Sequence, residues 1–371
     1  MIPITRLYVG EEEAAAAAEA VRSGWLSVGP RAGTFEGLVA ERVGANHAVS
    51  VNSCTTALHL SLVALGIGLG DEVICPSFTF IATPNSIRYS GATPVFAEID
   101  PRTYNIDPAH VETLITERTK AIMPASQIGL PADLAALRKI ATKHGLHLVE
   151  DAAPAFGATI DGVPLGTISD VTCFSFDARK ILTTGEGGVI TTNDAEVAAK
   201  LRNLRAHAAS VSTLARHTST AVISESYDEV GFNYKMTDIQ AAVGIVQMGK
   251  LDHVVEVRRA LAARYDEMLA DHDAVVTPYE PPGYGHVYQS YLVRLRGHRQ
   301  IDVMNAMAQR GVATRRITAC HLEPVYGNGP SATTLPESES LAADHLLLPH
   351  FVGLTEQEQD EVVEALITAT R

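Results

Sequence analysis

Residues 173–194 read CFSFDARKILTTGEGGVITTND. The segment begins inside a short apolar run, Val171 to Phe176, of the kind that forms a strand buried on both faces. It then carries one lysine, Lys180, a glycine-rich turn ending at Gly188, and a second run of Val, Ile and Thr. A lysine is by default a solvated surface residue. This one follows a strand, and open α/β sheets bind their ligands outside the carboxyl ends of strands. A lysine desolvated there gives up its proton more readily and can form a Schiff base.

The pattern around this stretch repeats. HAVSVN, DEVICP, TPVFAEID, KAIMPAS and HLVEDAA are short apolar strand candidates, and helical segments such as TTALHLSLVALGI and PADLAALRKIATKHG fall between them. Such alternation predicts an α/β domain with a mostly parallel central sheet flanked by helices. After Gly249 the texture changes. KLDHVVEVRRALAARYDEMLADH reads as a long charged amphipathic helix bridging two domains, and YQSYLVRLR, IDVMNAMAQRGV, ATRRITA and TEQEQDEVVEALITAT predict a smaller α+β C-terminal domain. The expected division is 1–250 and 251–371.

Composition narrows the function. The chain has 371 residues, 46% of them hydrophobic, and a net charge of -14. That charge repels a phosphate backbone, so no nucleic-acid partner is expected, although a local anion site remains possible. Four cysteines without CxxC spacing and 14 histidines without a helical HxxxH pair predict neither a metal nor disulfides, and a cytoplasmic setting. No targeting segment or membrane span is expected.

Two further features stand upstream of Lys180. In VNSCTTALHL a strand passes through Ser53-Cys54-Thr55-Thr56 into a helix, so free N–H groups and hydroxyls form an anion site or a plain N-cap. In HLVEDAAPAFGA, Glu150-Asp151 ends a strand, so at least one carboxylate stands at the same sheet edge, as a cap, a loop residue or the partner of a cationic ligand atom. A phosphate cradle, a strand-end carboxylate and a strand-end lysine, in that order, are the minimal equipment for pyridoxal 5'-phosphate, whose protonated pyridine nitrogen makes it an electron sink.

On SGWLSVGP, NSCTTALHLSL, PSFTFIATPNSI, VEDAAPAFGA, FSFDARKILTTGEGG and GFNYKMTDIQAAVGIVQMGKLD, the chain resembles the DegT/DnrJ/StrS sugar aminotransferases over nearly its whole length. The resemblance implies the type I fold of pyridoxal-phosphate transferases. It makes Lys180 the Schiff-base lysine and Asp151 the carboxylate on the pyridine nitrogen. Thr55 and Thr56, with Ser175, match the phosphate-holding residues, and Phe80 matches the aromatic stacked on the ring. Asn233 matches a residue reaching the neighbouring subunit's cofactor, which implies a homodimer with active sites at the interface. Arg316 and His321 fall in the family's C-terminal substrate region.

The chain departs from the family pattern at Asp177, Pro154 and Ser126, positions that line the cofactor or substrate pocket in relatives. Asp177 is therefore either a substrate contact or a solvent-facing loop residue. The implied activity moves an amino group from glutamate or glutamine to a ketosugar, with nucleotide linkage expected. It serves amino-sugar, antibiotic or polysaccharide synthesis. A keto-cyclitol acceptor is the nearest alternative. A deoxysugar dehydratase on this fold is disfavoured because those relatives replace the lysine by histidine, and a non-catalytic homologue is disfavoured by the retained Lys180, Asp151 and Thr55.

Overall fold

The alternating strands and helices assemble into a seven-stranded sheet in the computed structural model, which describes residues 1–211, 224–327 and 334–371. The strands are β1 (His47–Val51), β2 (Glu72–Pro76), β3 (Thr93–Ala97), β4 (Thr119–Ile122) and β5 (His147–Asp151). A short pair follows, β6 (Thr159–Ile160) and β7 (Val163–Pro164), and then β8 (Val171–Ser175) and β9 (Gly188–Thr192). The sheet order is β1-β9-β8-β5-β4-β2-β3. From β3 to β8 every pairing is parallel; β9 alone runs against its neighbours, with Ser175 opposite Gly188. The quoted stretch is thus a long-looped hairpin inside an otherwise parallel sheet.

Period-two alternation sorts the strand residues onto two apolar faces. Ile74, Leu148, Phe174 and Val189 join one core with Phe35, Phe156 and Phe176. Their immediate neighbours Cys75, Val149, Cys173 and Ile190 join the other, under Leu58, Leu60 and Leu62 of helix Cys54–Ala64. Each large side chain fully buried this way contributes about 1.5–3 kcal/mol.

Helix ends follow local chemistry. Asp133 caps helix Leu134–His144 through the Ala136 N–H, and Gly145, at φ 65°, ends it. One cap is long-range. Fully buried Asp238, in the TDIQAA segment, accepts from the N–H groups of Gly29 (2.8 Å), Arg31 (3.2 Å) and Ala32 (3.0 Å), at the start of helix Pro30–Val43. A Cβ on Gly29 would stand 2.6 Å from Asp238 Oδ2, so the SVGP and TDIQAA segments constrain each other.

The later strands are β10 (Val275–Val276), β11 (Tyr284–Gly285), β12 (Tyr291–Leu295), β13 (Arg315–Arg316) and β14 (His345–Leu348). An antiparallel sheet, β10-β12-β14-β13, carries helices Gln300–Gln309 and Glu356–Ala369, while β11 pairs with β6. The expected ATRRITA strand shrinks to two residues, and β14 appears in LLLPH, where no strand was expected from pattern alone. Helix Leu251–Leu269 does bridge: Leu251, Val254 and Val255 pack in the first core, Ala262, Tyr265 and Leu269 in the C-terminal one. Ile2 also packs in the C-terminal core, beside Val312. A seam of Phe78, Ile99, Tyr104 and Ile128 against Leu292, Ile317 and Leu347 joins the two parts. Among the described residues no helix is long and apolar enough to cross a membrane.

Candidate active site

A cavity of about 420 Å³ opens where the seam meets the carboxyl ends of β5 and β8. Ser53, Cys54, Thr55, Phe80, Asp151, Ser175, Asp177 and Lys180 all line it. Residues 127 positions apart in sequence therefore meet at one sheet edge, because parallel strands end on the same side.

One end of the cavity is an anion cradle. Helix Cys54–Ala64 begins there, so the N–H groups of Cys54 and Thr55 have no partner within the helix. The Thr56 hydroxyl is used otherwise than expected. It donates to Asn52 Oδ1 at 2.8 Å and accepts from the Ser53 N–H at 3.2 Å, while Ser53 Oγ accepts from the Thr56 N–H. Thr56 closes a capping box and is not among the cavity-lining residues; Thr55 is. Gly188 lets β9 approach this turn, since a Cβ there would stand 2.6 Å from the Ser53 carbonyl. Ser175 lines the same wall, its hydroxyl accepting from the Asp177 N–H at 3.3 Å.

The floor holds Asp151 and Lys180. Asp151 is 5% exposed, and it makes no ion pair among the described residues. Its Oδ2 accepts from the Thr83 hydroxyl at 2.6 Å and its Oδ1 from the Ala153 N–H at 3.1 Å. Burial raises its pKa, opposed by those two bonds and by the charge of Lys180. Burial likewise lowers the pKa of the Lys180 amine, opposed by Asp151 and Asp177. A buried carboxylate held by two neutral donors is a fitting partner for a cationic ring nitrogen, and a desolvated lysine is a fitting nucleophile. Glu150 points to the opposite face of β5, where it accepts from Ser126 Oγ at 2.7 Å and Thr172 Oγ1 at 3.2 Å. Ser126 is thus tied behind the strand, whereas Pro154 lines the cavity.

Of the remaining expected residues, the mouth carries Phe80, Asp177 and Arg316. Phe80 is 60% exposed there, standing over the cavity and not in the core. Asp177 faces the cavity and pairs with Arg179 Nε at 3.3 Å. Arg316 lines the cavity too and pairs with Glu323 at 3.4 Å. His321 does not reach it: its buried ring bonds Ser77 Oγ at 2.5 Å and lies 3.4 Å from Glu339. Asn233 is also away from this cavity, its Oδ1 accepting from Lys235 Nζ at 2.7 Å. Thr83, Arg179, Gln289 and Arg315 were missed from sequence. Gln289 donates to the Arg179 carbonyl at 3.1 Å, a contact between residues 110 apart that no local pattern signals.

Comparison with known proteins shows the family. The model of the DegT/DnrJ/EryC1/StrS aminotransferase family matches residues 8–367. A GDP-perosamine synthase from Caulobacter vibrioides is 41% identical, over 94% of this chain and 92% of its own. Among solved structures, the putative sugar aminotransferase Spr1654 from Streptococcus pneumoniae superposes with a TM-score of 0.94 at 27% identity, covering 100% of this chain and 99% of that one; it is known in forms bearing PMP and PLP. DesI, solved in the presence of its TDP-sugar product, superposes at 0.88 with 35% identity, covering 99% of this chain and 91% of that one. With a matching fold and a family model spanning nearly the whole length, the chain belongs to the DegT/DnrJ/EryC1/StrS aminotransferase family and is an aminotransferase that works with pyridoxal 5'-phosphate.

Proposed function

We propose that this aminotransferase moves an amino group from glutamate or glutamine to the keto carbon of a nucleotide-linked sugar, in amino-sugar, polysaccharide or antibiotic biosynthesis. The observation that carries the reading is the meeting of Lys180 and Asp151 in one cavity whose mouth also holds Arg179, Arg315 and Arg316. Arg179 and Arg316 are paired with Asp177 and Glu323, and Arg315, which has no ion pair among the described residues, supports an anionic substrate over a neutral cyclitol. The names of two relatives, a GDP-perosamine synthase and an enzyme solved with a TDP-sugar, support the nucleotide link.

The chain's own residues have distinct tasks. The N–H groups of Cys54 and Thr55, with the Ser175 hydroxyl, would hold the cofactor's phosphate at the helix N-terminus. Asp151 would face the ring nitrogen and keep it protonated, oriented by Thr83 and the Ala153 N–H. Phe80 would cover the ring from the mouth. Bound pyridoxal phosphate supplies the electron sink that stabilises charge on the carbon losing a proton. With the cofactor bound, Lys180 Nζ would be the group that holds its carbonyl carbon, and as a free amine it would move the proton at the donor carbon. Its lowered pKa keeps a fraction of the amine neutral, as a base requires. Asn233, remote from its own chain's cavity, would serve the neighbouring subunit's site, so the working form is a homodimer. We further propose the domain division 1–250 and 251–371, and a reducing cytoplasmic setting, in keeping with four free, buried cysteines.

Borohydride reduction of the yellow holoenzyme followed by peptide mapping should place the cofactor's mass on Lys180. Lys180→Ala should still bind cofactor but lose at least about 100-fold in turnover. Normal turnover by that variant would remove Lys180 from its role. Ketosugar nucleotides and keto-cyclitols, tested against the amine form of the holoenzyme, should return the aldehyde spectrum only with the former.

A further inference from the structure

Lys180 stands in a turn between β8 and β9, outside any helix or strand. The peptide that joins it to Arg179 is held from both sides. Its N–H donates to the Asp177 carbonyl at 3.0 Å, and its carbonyl, that of Arg179, accepts from Gln289 Nε2 at 3.1 Å. Gln289 follows a strained residue. Tyr288 has φ 45°, in the left-handed region, and a bulky side chain persists there only where its surroundings over-determine it. Arg258, on helix Leu251–Leu269, supplies those surroundings. Its Nη1 donates, in shared bonds, to the carbonyls of Tyr288 (3.1 Å), Gln289 (3.0 Å) and His350 (3.2 Å). The neighbouring Arg259 Nε donates to the His286 carbonyl at 2.9 Å. His350 Nε2 lies 3.0 Å from the Arg258 carbonyl, which only accepts, so Nε2 carries the proton and Nδ1 is left to accept from Arg258 Nη1 at 3.3 Å.

Arg258 is 4% exposed and makes no ion pair among the described residues. Burying a cation without a carboxylate is costly, and an apolar side chain of similar length would pack the bridging helix at lower cost. What the guanidinium adds is several donors at one point, for carbonyls that an irregular segment leaves without ladder partners. We propose that Arg258 is a positioning residue for Lys180: it fixes the Tyr288–Gln289 backbone, and Gln289 then holds the Arg179–Lys180 peptide. This role rests on the one given to Lys180 in the preceding section. Arg258 is not among the cavity-lining residues, so it acts on the reaction through Gln289 and not by touching substrate. Its helix packs on both cores, so the same contacts set the turn of Lys180 against the C-terminal part of the chain. A misplacement of about 1 Å in a proton-transferring group costs on the order of 100-fold in rate, with little change in affinity.

The test follows Arg258→Met, Arg258→Lys and Gln289→Leu in apoenzyme and holoenzyme. In the apoenzyme, amide hydrogen exchange of the peptide spanning residues 177–182 should quicken about 3- to 10-fold in Arg258→Met and in Gln289→Leu. In the holoenzyme, the saturating rate of the first half-reaction, with L-glutamate or L-glutamine, whichever the wild type converts, should fall about 10- to 100-fold, with KM within about threefold. The primary isotope effect with the α-deuterated donor should match or exceed that of wild type, which places the loss at proton transfer. Arg258→Lys, which keeps a donor near the same carbonyls, should recover part of each loss. The Arg258→Met/Gln289→Leu double variant should lie within about twofold of the poorer single variant, because both break one chain of contacts. Losses that multiply in the double variant, or a smaller isotope effect, would overturn the proposal. Unchanged exchange and rate in Gln289→Leu would overturn it too, even where Arg258→Met fails to fold. Normal turnover by Lys180→Ala would instead sink the role given to Lys180 in the preceding section.

Discussion

Thr83→Val tests the carboxylate around which the site is organised. Thr83 is fully buried, its hydroxyl lies 2.6 Å from Asp151 Oδ2, and valine keeps the shape while removing the donor. A hydrogen bond to a charged group contributes about 1.5–3 kcal/mol. Losing it corresponds to about 10- to 150-fold in any equilibrium that needs the ionised carboxylate. Cofactor affinity, measured by absorbance titration of the apoenzyme, should fall within that range. The pKa of Asp151 is raised by burial and restrained by the Thr83 bond, so removing the bond raises it further. Activity requires the ionised form and is lost as pH falls through that pKa. The acid limb of the kcat/KM profile should therefore move to higher pH. Thr79→Val is the control, because among the described residues the Thr79 hydroxyl bonds only the Thr83 hydroxyl, at 2.6 Å. A neutral bond contributes about 1 kcal/mol, so its effect should stay near fivefold. In an Asp151→Asn background the Thr83 substitution should cost much less. An unmoved acid limb with unchanged affinity, or a full penalty in that background, would refute the reasoning.

Two further predictions concern stability. Burial pushes the Glu150 carboxyl up to about 7 from 4.5, against the bonds from Ser126 and Thr172. The native state then keeps a proton that the unfolded chain has released, so stability falls as pH rises between those values, by about 3 kcal/mol in all. Urea unfolding of Glu150→Gln should gain on wild type by most of that amount between pH 5 and pH 8; parallel curves would show that Glu150 ionises normally. Asp238→Ala removes the shared acceptor of three N–H groups and should cost about 2–3 kcal/mol in thermal unfolding, with Asp238→Asn intermediate. An unchanged melting temperature would mean that water replaces the cap.

What was legible in the sequence is what short-range chemistry decides. Strand and helix alternation, the cap at Ser53, the strand ends at Asp151 and Ser175, and the turn before Gly188 are each written in a few consecutive residues. Parallel strands end at one edge, so the order of cradle, carboxylate and lysine along the chain was enough to place them together before any coordinates. Side-chain direction was not legible. Thr55 and Thr56 are adjacent and chemically alike, yet the helical rotation turns one to the cavity and the other into the capping box. Arg315 and Arg316 are adjacent on β13 and both line the cavity, and only the place of Glu323 gives Arg316 an ion-pair partner that Arg315 lacks among the described residues. His321 falls in the family's substrate region but bonds Ser77, a residue 244 positions away. Thr83 holds Asp151 across 68 positions. By itself the sequence determined that Thr55, Asp151, Ser175 and Lys180 gather at one sheet edge, because the ends of strands and the starts of helices follow from local backbone propensity. The tertiary structure alone decided which side chains face the cavity and which charges go unpaired, because those depend on contacts between residues far apart in the chain.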